Sequence, residues 1–233
     1  MDRIRNTALV TAALAAGAIA LSACGRDDRD LVNGKTLYVN KCGACHQLAR
    51  ADTKGTQGPS LDAAFETARA DGMTAKTVEG IVYRQIGHPR RGSIMPAGLV
   101  KGSDAWDVAA YVGEAAGIKG KDQGPLAEAG KPKTSNKPIA AKAGTLTIDA
   151  IDGTAFQSTQ ATATAGKLTV KMPNKSDIGH DIALQGVSGA DGDVVQKGGT
   201  STFTVDLKAG KYTFLCTVPG HEQAGMKGTL TVK

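Results

Sequence analysis

The chain has 233 residues, of which 41% are hydrophobic and 4% aromatic, and it carries a formal net charge of +6. At about 100–150 residues per domain, this length predicts one or two domains with small, mostly aliphatic cores. Four of the six net positive charges fall between residues 117 and 144, where six lysines accompany two acids. A nucleic-acid-binding domain would carry a basic patch on its folded surface, so this distribution argues against nucleic acid as a partner.

Residues 1–23 have the pattern of a secretory signal peptide. Two arginines precede an apolar run from Ala8 to Leu21, which is shorter than the roughly 20 residues of a spanning helix. The run ends in Leu-Ser-Ala-Cys24, which resembles the lipobox of bacterial lipoproteins and implies acylation of the Cys24 thiol. An ordinary signal peptide with a chance cysteine is the alternative. We therefore expect residues 24–30 to be a flexible, lipidated tether.

Residues 31–116 show the apolar periodicity of helices. The candidate helices are Leu31–Cys42, Thr74–Ile86 and Ser103–Ala116. In the third of these, Ser103 is a suitable N-cap, and apolar side chains recur at positions that share one side of a helix. The pattern predicts an all-α domain over this range.

The first metal motif is Cys42-Gly-Ala-Cys45-His46, which fits the C-x-x-C-H signature for attachment of c-type haem. Two thiols at this spacing reach the two vinyl groups along one porphyrin edge, and the next residue places its imidazole beneath the iron. A redox dithiol and half of a zinc site are the alternatives, although a zinc site needs further ligands nearby. The motif predicts one covalently bound haem c.

The helical region resembles a small class I cytochrome c. The residues that carry the resemblance are Gly34, Tyr38, Gly58-Pro59 and Met95-Pro96. It implies that the Pro59 carbonyl holds the proton of the proximal ligand His46, and that Met95 is the distal iron ligand. Met73 is the competing thioether, but no proline follows it. Ligation by His and Met raises the haem potential and leaves no axial position for a substrate.

Residues 117–144 are rich in Gly, Pro, Lys and Ala, which predicts a flexible linker. As a coil, its 28 residues would span roughly 30 Å root-mean-square. Beyond it, hydrophobicity alternates with period two in several short segments of residues 145–233, and Gly-rich turns separate some of them. This pattern predicts an all-β sandwich.

The second metal motif lies in one loop between two predicted strands. Cys216, His221 and Met226 supply a thiolate, an imidazole and a thioether there, and His180 in an earlier segment supplies a second imidazole. Two histidines, one cysteine and a weak axial methionine are the ligands of a type 1 copper site. The alternatives are a copper-free sandwich with a buried cysteine, and a zinc site, in which the methionine would have no use.

Residues 145–233 resemble the cupredoxins, the family of plastocyanin, azurin and auracyanin. The resemblance implies a Greek-key sandwich and one type 1 copper ion held by those four side chains. The family usually has Asn after the first histidine, bonded across to the residue after the cysteine. Here these positions are Asp181 and Thr217. An ionised carboxylate accepts hydrogen bonds but donates none, so the sequence leaves this brace undecided.

With both centres filled by their own side chains, neither offers a position to a small-molecule substrate. We therefore expect a non-enzymatic electron-transfer protein, exported and lipid-anchored at the outer face of the cytoplasmic membrane or in the periplasm. Its partners would be redox proteins of a respiratory or photosynthetic chain. One alternative is a donor module of a copper reductase such as nitrite reductase, which needs three more histidines where only His88 is unassigned. The other is a redox- or copper-sensing lipoprotein.

Overall fold

Helices form the first part of the structure, a computed structural model that describes residues 28–233. The helices are α1 (Leu31–Lys41), α2 (Leu61–Ala70), α3 (Ala75–Gly87) and α4 (Gly102–Ala115). Strands β1 (Gln47–Leu48) and β2 (Thr53–Lys54) flank a 3-10 turn at Ala49–Ala51. The predicted signal peptide and the acylation site at Cys24 lie outside the described residues.

Three helices begin where the sequence offers a side-chain cap. Asp30 accepts hydrogen bonds from two backbone N–H groups of α1, and Ser60 and Thr74 each accept one in α2 and α3. The predicted cap Ser103 lies inside α4 instead. The chain enters that helix through Gly102, whose φ of +57° is a left-handed conformation that glycine adopts readily.

The core of the helical part lies where α1 and α3 pack on α4. At the crossing of α1 and α4, a Cβ built at Gly34 would lie 2.1 Å from the Asp107 carbonyl oxygen. Only glycine permits so close an approach of two helix backbones. The buried rings of Tyr38 and Tyr111 meet beside this crossing, with centroids 6.2 Å apart.

The segment 117–144 is bound to the helical part by a buried carboxylate. Asp122 forms ion pairs with Lys35 at 2.9 Å and Arg50 at 2.6 Å, and it accepts a hydrogen bond from the Tyr111 hydroxyl at 2.9 Å. Burial would raise the pKa of Asp122, but the hydrogen bonds from these three side chains hold it below its ordinary value. The segment has contacts that its composition does not predict, because charge pairing rather than an apolar pattern holds it.

The same segment continues through a short helix, α5 (Pro125–Glu128), to a strand, β3 (Ile139–Ala140). The Leu126 carbonyl in α5 accepts a hydrogen bond from Lys35 at 2.9 Å. We call residues 117–144 the strap, since they contact the helical part at one end and the β part at the other. Near the start of the described residues, Arg29 forms an ion pair of 3.1 Å with Glu79 of α3. The end of the predicted tether is therefore packed against the helical part.

Strands form the rest of the chain. They are β4 (Thr145–Thr147), β5 (Ala150–Ile151), β6 (Ala155–Phe156), β7 (Gln160–Ala163), β8 (Gly166–Pro173), β9 (Ala183–Leu184), β10 (Thr200–Leu207), β11 (Gly210–Leu215) and β12 (Lys227–Val232). One sheet has the strand order β10-β8-β4, and the other has the order β3-β7-β12-β11-β9. Strand β12 pairs in parallel with β7 and antiparallel with β11, so sheet neighbours are not always sequence neighbours.

The two sheets enclose a hydrophobic core that contains the edge-to-face pair Phe156 and Phe214. The predicted order of an all-α domain followed by an all-β sandwich is confirmed. The two domains touch, and Lys41 at the end of α1 forms an ion pair of 3.2 Å with Asp177 of the sandwich. Within the described range, no helix is both long enough and apolar enough to cross a membrane.

Candidate metal centres

A largely apolar cavity of about 390 Å³ opens among α2, α3, α4 and the loop before α4. Apolar side chains make up much of its wall, among them Leu61, Phe65, Ile81, Val82, Ile86, Leu99, Val108 and Val112. The predicted haem residues line the same cavity: Cys42, Cys45, His46, Pro59 and Met95. One crevice thus brings together the residues that the sequence predicts for haem attachment and ligation.

The ring of His46 is held by the backbone that follows it. Its Nδ1 lies 2.9 Å from the carbonyl oxygen of Pro59 and donates to it, which is the contact that the resemblance implies. A Cβ built at Gly58 would lie 2.4 Å from Cε1 of the ring, so the imidazole rests directly on the glycine backbone. Nε2 remains to bind iron, and the hydrogen bond on the other nitrogen orients the ring and raises its basicity.

Burial sets the chemistry of the two cysteines in this motif. It raises the pKa of the Cys42 thiol to about 12 and also raises the pKa of Cys45. A redox-active dithiol needs the opposite shift, because the thiolate is the attacking species. The raised pKa values therefore argue against a reactive dithiol.

The two candidate thioethers differ in their access to the cavity. Met95 lines it, and its Sδ accepts a hydrogen bond of 3.8 Å from Gln85 of α3. Met73 packs against the helical core and does not belong to the cavity wall. This placement favours Met95 as the distal ligand, and that assignment stays a prediction.

Among residues 28–233, only one cluster of His, Cys, Asp or Glu side chains is arranged to hold a metal ion: His180, Cys216 and His221. No second group of this kind surrounds the cysteines of the haem motif, so nothing described there supports the zinc alternative. The fully buried Met226 closes the same loop. The four predicted copper ligands are therefore held in one buried part of the sandwich.

Short backbone hydrogen bonds shape this site. Cys216 follows the end of β11, and its N–H donates to the carbonyl of Met226 at 3.1 Å. The Met226 N–H in turn donates to the carbonyl of His221 at 2.9 Å. His180 exchanges two backbone hydrogen bonds with Val195, of 3.1 and 2.8 Å. These bonds hold the backbone of all four ligand-bearing residues in place.

The donor atoms fit a small ion. The Cys216 Sγ lies 3.7 Å from the Nδ1 of His180 and 3.4 Å from the Nδ1 of His221, and the two Nδ1 atoms are 3.1 Å apart. The centre of such a triangle is about 2 Å from each corner, close to the metal–nitrogen bond length of about 2.0–2.1 Å. A thiolate and two imidazoles in one plane are the equatorial set of type 1 copper.

Burial also determines the protonation states of the two histidines and the cysteine in this site. It lowers the pKa of His180 to about 4, with a further contribution from His221, and it lowers the pKa of His221 to about 4. Both rings are therefore neutral at pH 7, which is the metal-binding form. Burial raises the pKa of the Cys216 thiol to about 12, so a metal ion that binds at neutral pH displaces one proton from it.

The brace that the sequence left undecided is formed, with Asp181 as the acceptor. The Thr217 N–H donates to Oδ1 at 2.6 Å, and the Thr217 hydroxyl donates to Oδ2. Both donors belong to Thr217, so the side chain at position 181 only has to accept hydrogen bonds and does not need to donate a proton. Carboxylate and amide are therefore both able to make this connection between the segment of His180 and the loop of Cys216.

Comparison with known families identifies both halves of the chain. The cytochrome c family matches residues 31–116, and the family of copper-binding proteins of the plastocyanin/azurin type matches residues 143–233. The chain is a cytochrome c–cupredoxin fusion. Both families are electron carriers, so the fusion is an electron-transfer protein whose cofactor classes are haem and type 1 copper.

Solved structures similar to the fusion cover about two fifths of it. A dithionite-reduced auracyanin from the photosynthetic bacterium Roseiflexus castenholzii has 25% identity and a TM-score of 0.36, and the match covers 39% of the fusion and 98% of that chain. Auracyanin A from Chloroflexus aurantiacus has 24% identity and a TM-score of 0.35, with 42% and 100% covered. A reduced amicyanin variant has 23% identity and a TM-score of 0.32, with 42% and 94% covered. No curated protein matches the fusion significantly.

Sequence reasoning missed residues that support the two centres. Gln85 lies on α3, and nothing in its local sequence indicates that it donates to Met95. Asp122 is one of two acids in a basic segment, and that contrast is the one signal that could have marked it as the partner of Lys35 and Arg50.

Proposed function

We propose that the fusion is an exported, lipid-anchored relay that passes single electrons between one haem c, one type 1 copper ion and external redox proteins. The observation that carries this proposal is that the predicted ligands of each centre lie together in their own domain: His46 and Met95 line one cavity, and His180, Cys216 and His221 form one buried cluster. A centre whose positions are all filled exchanges electrons without binding or transforming a substrate.

The residues of the chain lower the reorganisation energy of electron transfer by keeping each site rigid. The Pro59 carbonyl and the Gly58 backbone fix the ring of His46, and the hydrogen bonds of the copper loop fix His221 and Cys216. When bound, haem and copper supply the one-electron chemistry. Burial of the copper ligands, of which His221 is the most exposed at 5%, excludes water that would otherwise reorganise with each change of charge.

External partners are proposed to exchange electrons at the haem crevice. The loop between α3 and Met95 carries Arg90 and Arg91, whose side chains are exposed, and Met95 itself lines the crevice. Positive charge beside the crevice suits brief contact with an acidic redox protein. Proteins of a respiratory or photosynthetic chain are the partner class that we propose.

The test is a visible spectrum with metal analysis of protein matured in a host that exports it and attaches haem. We expect a haem α band after reduction, an intense thiolate-to-copper band after oxidation, and about one iron and one copper per chain. Stopped-flow reduction should then show electrons reaching both centres. A copper ion with an exchangeable water, or a haem that binds a small ligand without displacing Met95, would contradict the proposal.

Among residues 28–233, no second cluster of metal-ligating side chains favours the reductase alternative. A type 2 copper site needs three histidines, whereas the remaining histidine of the chain, His88, is exposed at the end of α3. An assay of nitrite and oxygen consumption with a reduced donor distinguishes the two readings. The relay predicts no consumption above that of the protein without copper.

A further inference from the structure

The copper loop and the haem-attachment loop touch each other through backbone atoms. A Cβ built at Gly220 would lie 2.4 Å from the carbonyl oxygen of Ala44, and 3.5 Å from Cγ of Gln57. Gly220 and Ala44 are both buried. Gly220 also has a φ of +88°, which disfavours other residues. Glycine is therefore required both by the loop and by the closeness of the other domain.

The chain neighbours of these two residues are the ligands of the two centres. Ala44 is bonded to Cys45, which the motif assigns to a haem thioether, and Gly220 is bonded to His221, which the motif assigns to copper. The route from Cys45 to His221 therefore consists of covalent bonds interrupted by one non-bonded contact. Electron tunnelling weakens steeply with distance and more steeply across gaps than through bonds, so a route with one tight gap is a good one.

Other contacts hold the two domains in this arrangement. Lys41, next to the haem cysteine, pairs with Asp177. A Cβ built at Gly153 of the sandwich would lie 2.9 Å from Oδ1 of Asn40. The strap is attached to the cytochrome domain by buried ion pairs and to the cupredoxin domain by β3. Attachments on several sides favour a fixed arrangement over transient docking through a flexible linker.

We propose that the contact between Ala44 and Gly220 is the fixed junction across which electrons pass between the haem and the copper. This inference rests on the proposed relay function and specifies its internal step. In that step one centre is oxidised by one electron and the other is reduced by the same electron. No bond forms or breaks, and no proton moves.

The test compares two glycines of the same copper loop in the full chain with both metals. Gly225 also has a positive φ, of +102°, but a Cβ there would meet nothing within 4 Å. Gly220→Ala and Gly225→Ala thus impose similar backbone strain, and only the first pushes against the cytochrome domain. Absorption bands of both centres report whether each variant retains haem and copper.

We expect Gly220→Ala to slow haem-to-copper transfer, measured after flash reduction, by severalfold or more, because the added methyl group widens the one non-bonded gap on the route. Gly225→Ala should leave the rate close to that of the parent. A readout without electron transfer is small-angle X-ray scattering of the copper-free proteins. The radius of gyration should increase in Gly220→Ala and stay unchanged in Gly225→Ala.

A second pair of variants lies outside the copper loop, in case Gly220→Ala loses its copper. The backbone of Gly153 also borders the copper ligand His180, so the copper band is checked in both of these variants. Gly153 and Gly186 both have a φ of +72°, but only Gly153 faces the cytochrome domain, and a Cβ at Gly186 meets nothing within 4 Å. Gly153→Leu should therefore slow internal transfer, and Gly186→Leu should not.

The outcomes separate the two proposals. If the parent holds both metals but shows no internal transfer, the relay itself is wrong. If internal transfer is fast in the parent and equally fast in Gly220→Ala and Gly153→Leu, the relay stands and the junction is wrong. Equal slowing of each variant and its control would trace the effect to loop strain and would also overturn the junction.

Discussion

The imidazole of His46 lies against a glycine because any side chain at position 58 would occupy its place. We predict that Gly58→Ala leaves the haem attached through its thioethers but displaces the proximal ring. The reduction potential of the haem should shift and the domain should lose about 1–3 kcal/mol of stability, which is the usual cost of overpacking. Redox titration and denaturant unfolding followed at the haem band measure both effects.

Gly80→Ala is the matched control for this variant. Gly80 lies within α3, where a Cβ would meet nothing within 4 Å, so alanine should stabilise the helix by up to about 1 kcal/mol. Its haem potential should equal that of the parent. A potential that is unchanged in Gly58→Ala would show that the glycine does not support the ring.

The two buried copper histidines predict how the copper-free protein responds to acid. Their pKa values of about 4 lie below the ordinary value of 6.5, so the unfolded chain binds protons that the folded chain refuses. Stability is therefore present above about pH 6.5 and falls as the pH decreases towards 4. Chemical unfolding of the cupredoxin domain across this range, with copper removed, measures the slope.

The slope should become shallower in His221→Gln, because one of the two titrating rings is gone. His88→Gln, at an exposed position of the cytochrome domain, should leave the slope unchanged. A copper-free cupredoxin domain that is equally stable at pH 6.5 and pH 4 would contradict the assigned protonation states.

At the scale of elements, the strap depends on one carboxylate. Asp122→Asn should leave the buried Lys35 and the half-buried Arg50 without their shared counter-charge. Removing one partner of a buried ion pair typically costs about 3–5 kcal/mol, and we expect a loss of this size in unfolding of the cytochrome domain followed at the haem band. The strap should also become sensitive to proteolysis.

Glu128→Gln provides the comparison within the same strap. Glu128 pairs with Lys131 at 2.8 Å, but both side chains are largely exposed, and such pairs contribute about 0–1 kcal/mol. Equal stabilities of the Asp122→Asn and Glu128→Gln variants would mean that the buried network does not hold the strap.

How far the sequence predicts these elements depends on whether the signal is local. Alternation in Leu168–Met172 and Phe203–Leu207 predicts β8 and β10 correctly, because one face of each is buried in the sandwich. Helix α2 was missed although its sequence carries a local signal, since Leu61, Ala64, Phe65 and Ala68 recur at helical spacing along one side of it. The role of Asp122 could not be predicted for a different reason. A single charged residue leaves no periodic pattern in the sequence.

The two metal sites follow the same division. Spacing within Cys42–His46 and within Cys216–Met226 indicates the ligands because each group lies on one loop. The brace from Thr217 to Asp181 and the contact of Gly220 with Ala44 join distant parts of the chain. A single sequence carries no pattern for such pairs, so they emerge only when the fold is known.

For the whole molecule, the predicted anchor has a direct test. Cys24→Ser removes the only thiol of the lipobox-like motif, so the protein should move from the membrane fraction to the soluble fraction after export. Ser22→Ala keeps the small residue before the cysteine and should remain at the membrane. Mass spectrometry of the N-terminal peptide should find acyl chains on the parent and the control alone. A Cys24→Ser protein that stays membrane-bound in high salt would contradict a lipid anchor.

Strand β3 has a consequence for how the two halves can be separated. This strand, Ile139–Ala140, pairs with β7 at the edge of the larger sheet. It precedes residues 143–233, the range that the copper-protein family matches. A cupredoxin domain that begins at residue 143 would lack β3, and the backbone hydrogen-bonding groups of β7 would be unpaired at the edge of the sheet. Unpaired edge strands pair with other chains, so the excised domain should self-associate, and a cut upstream of β3 should keep it monomeric.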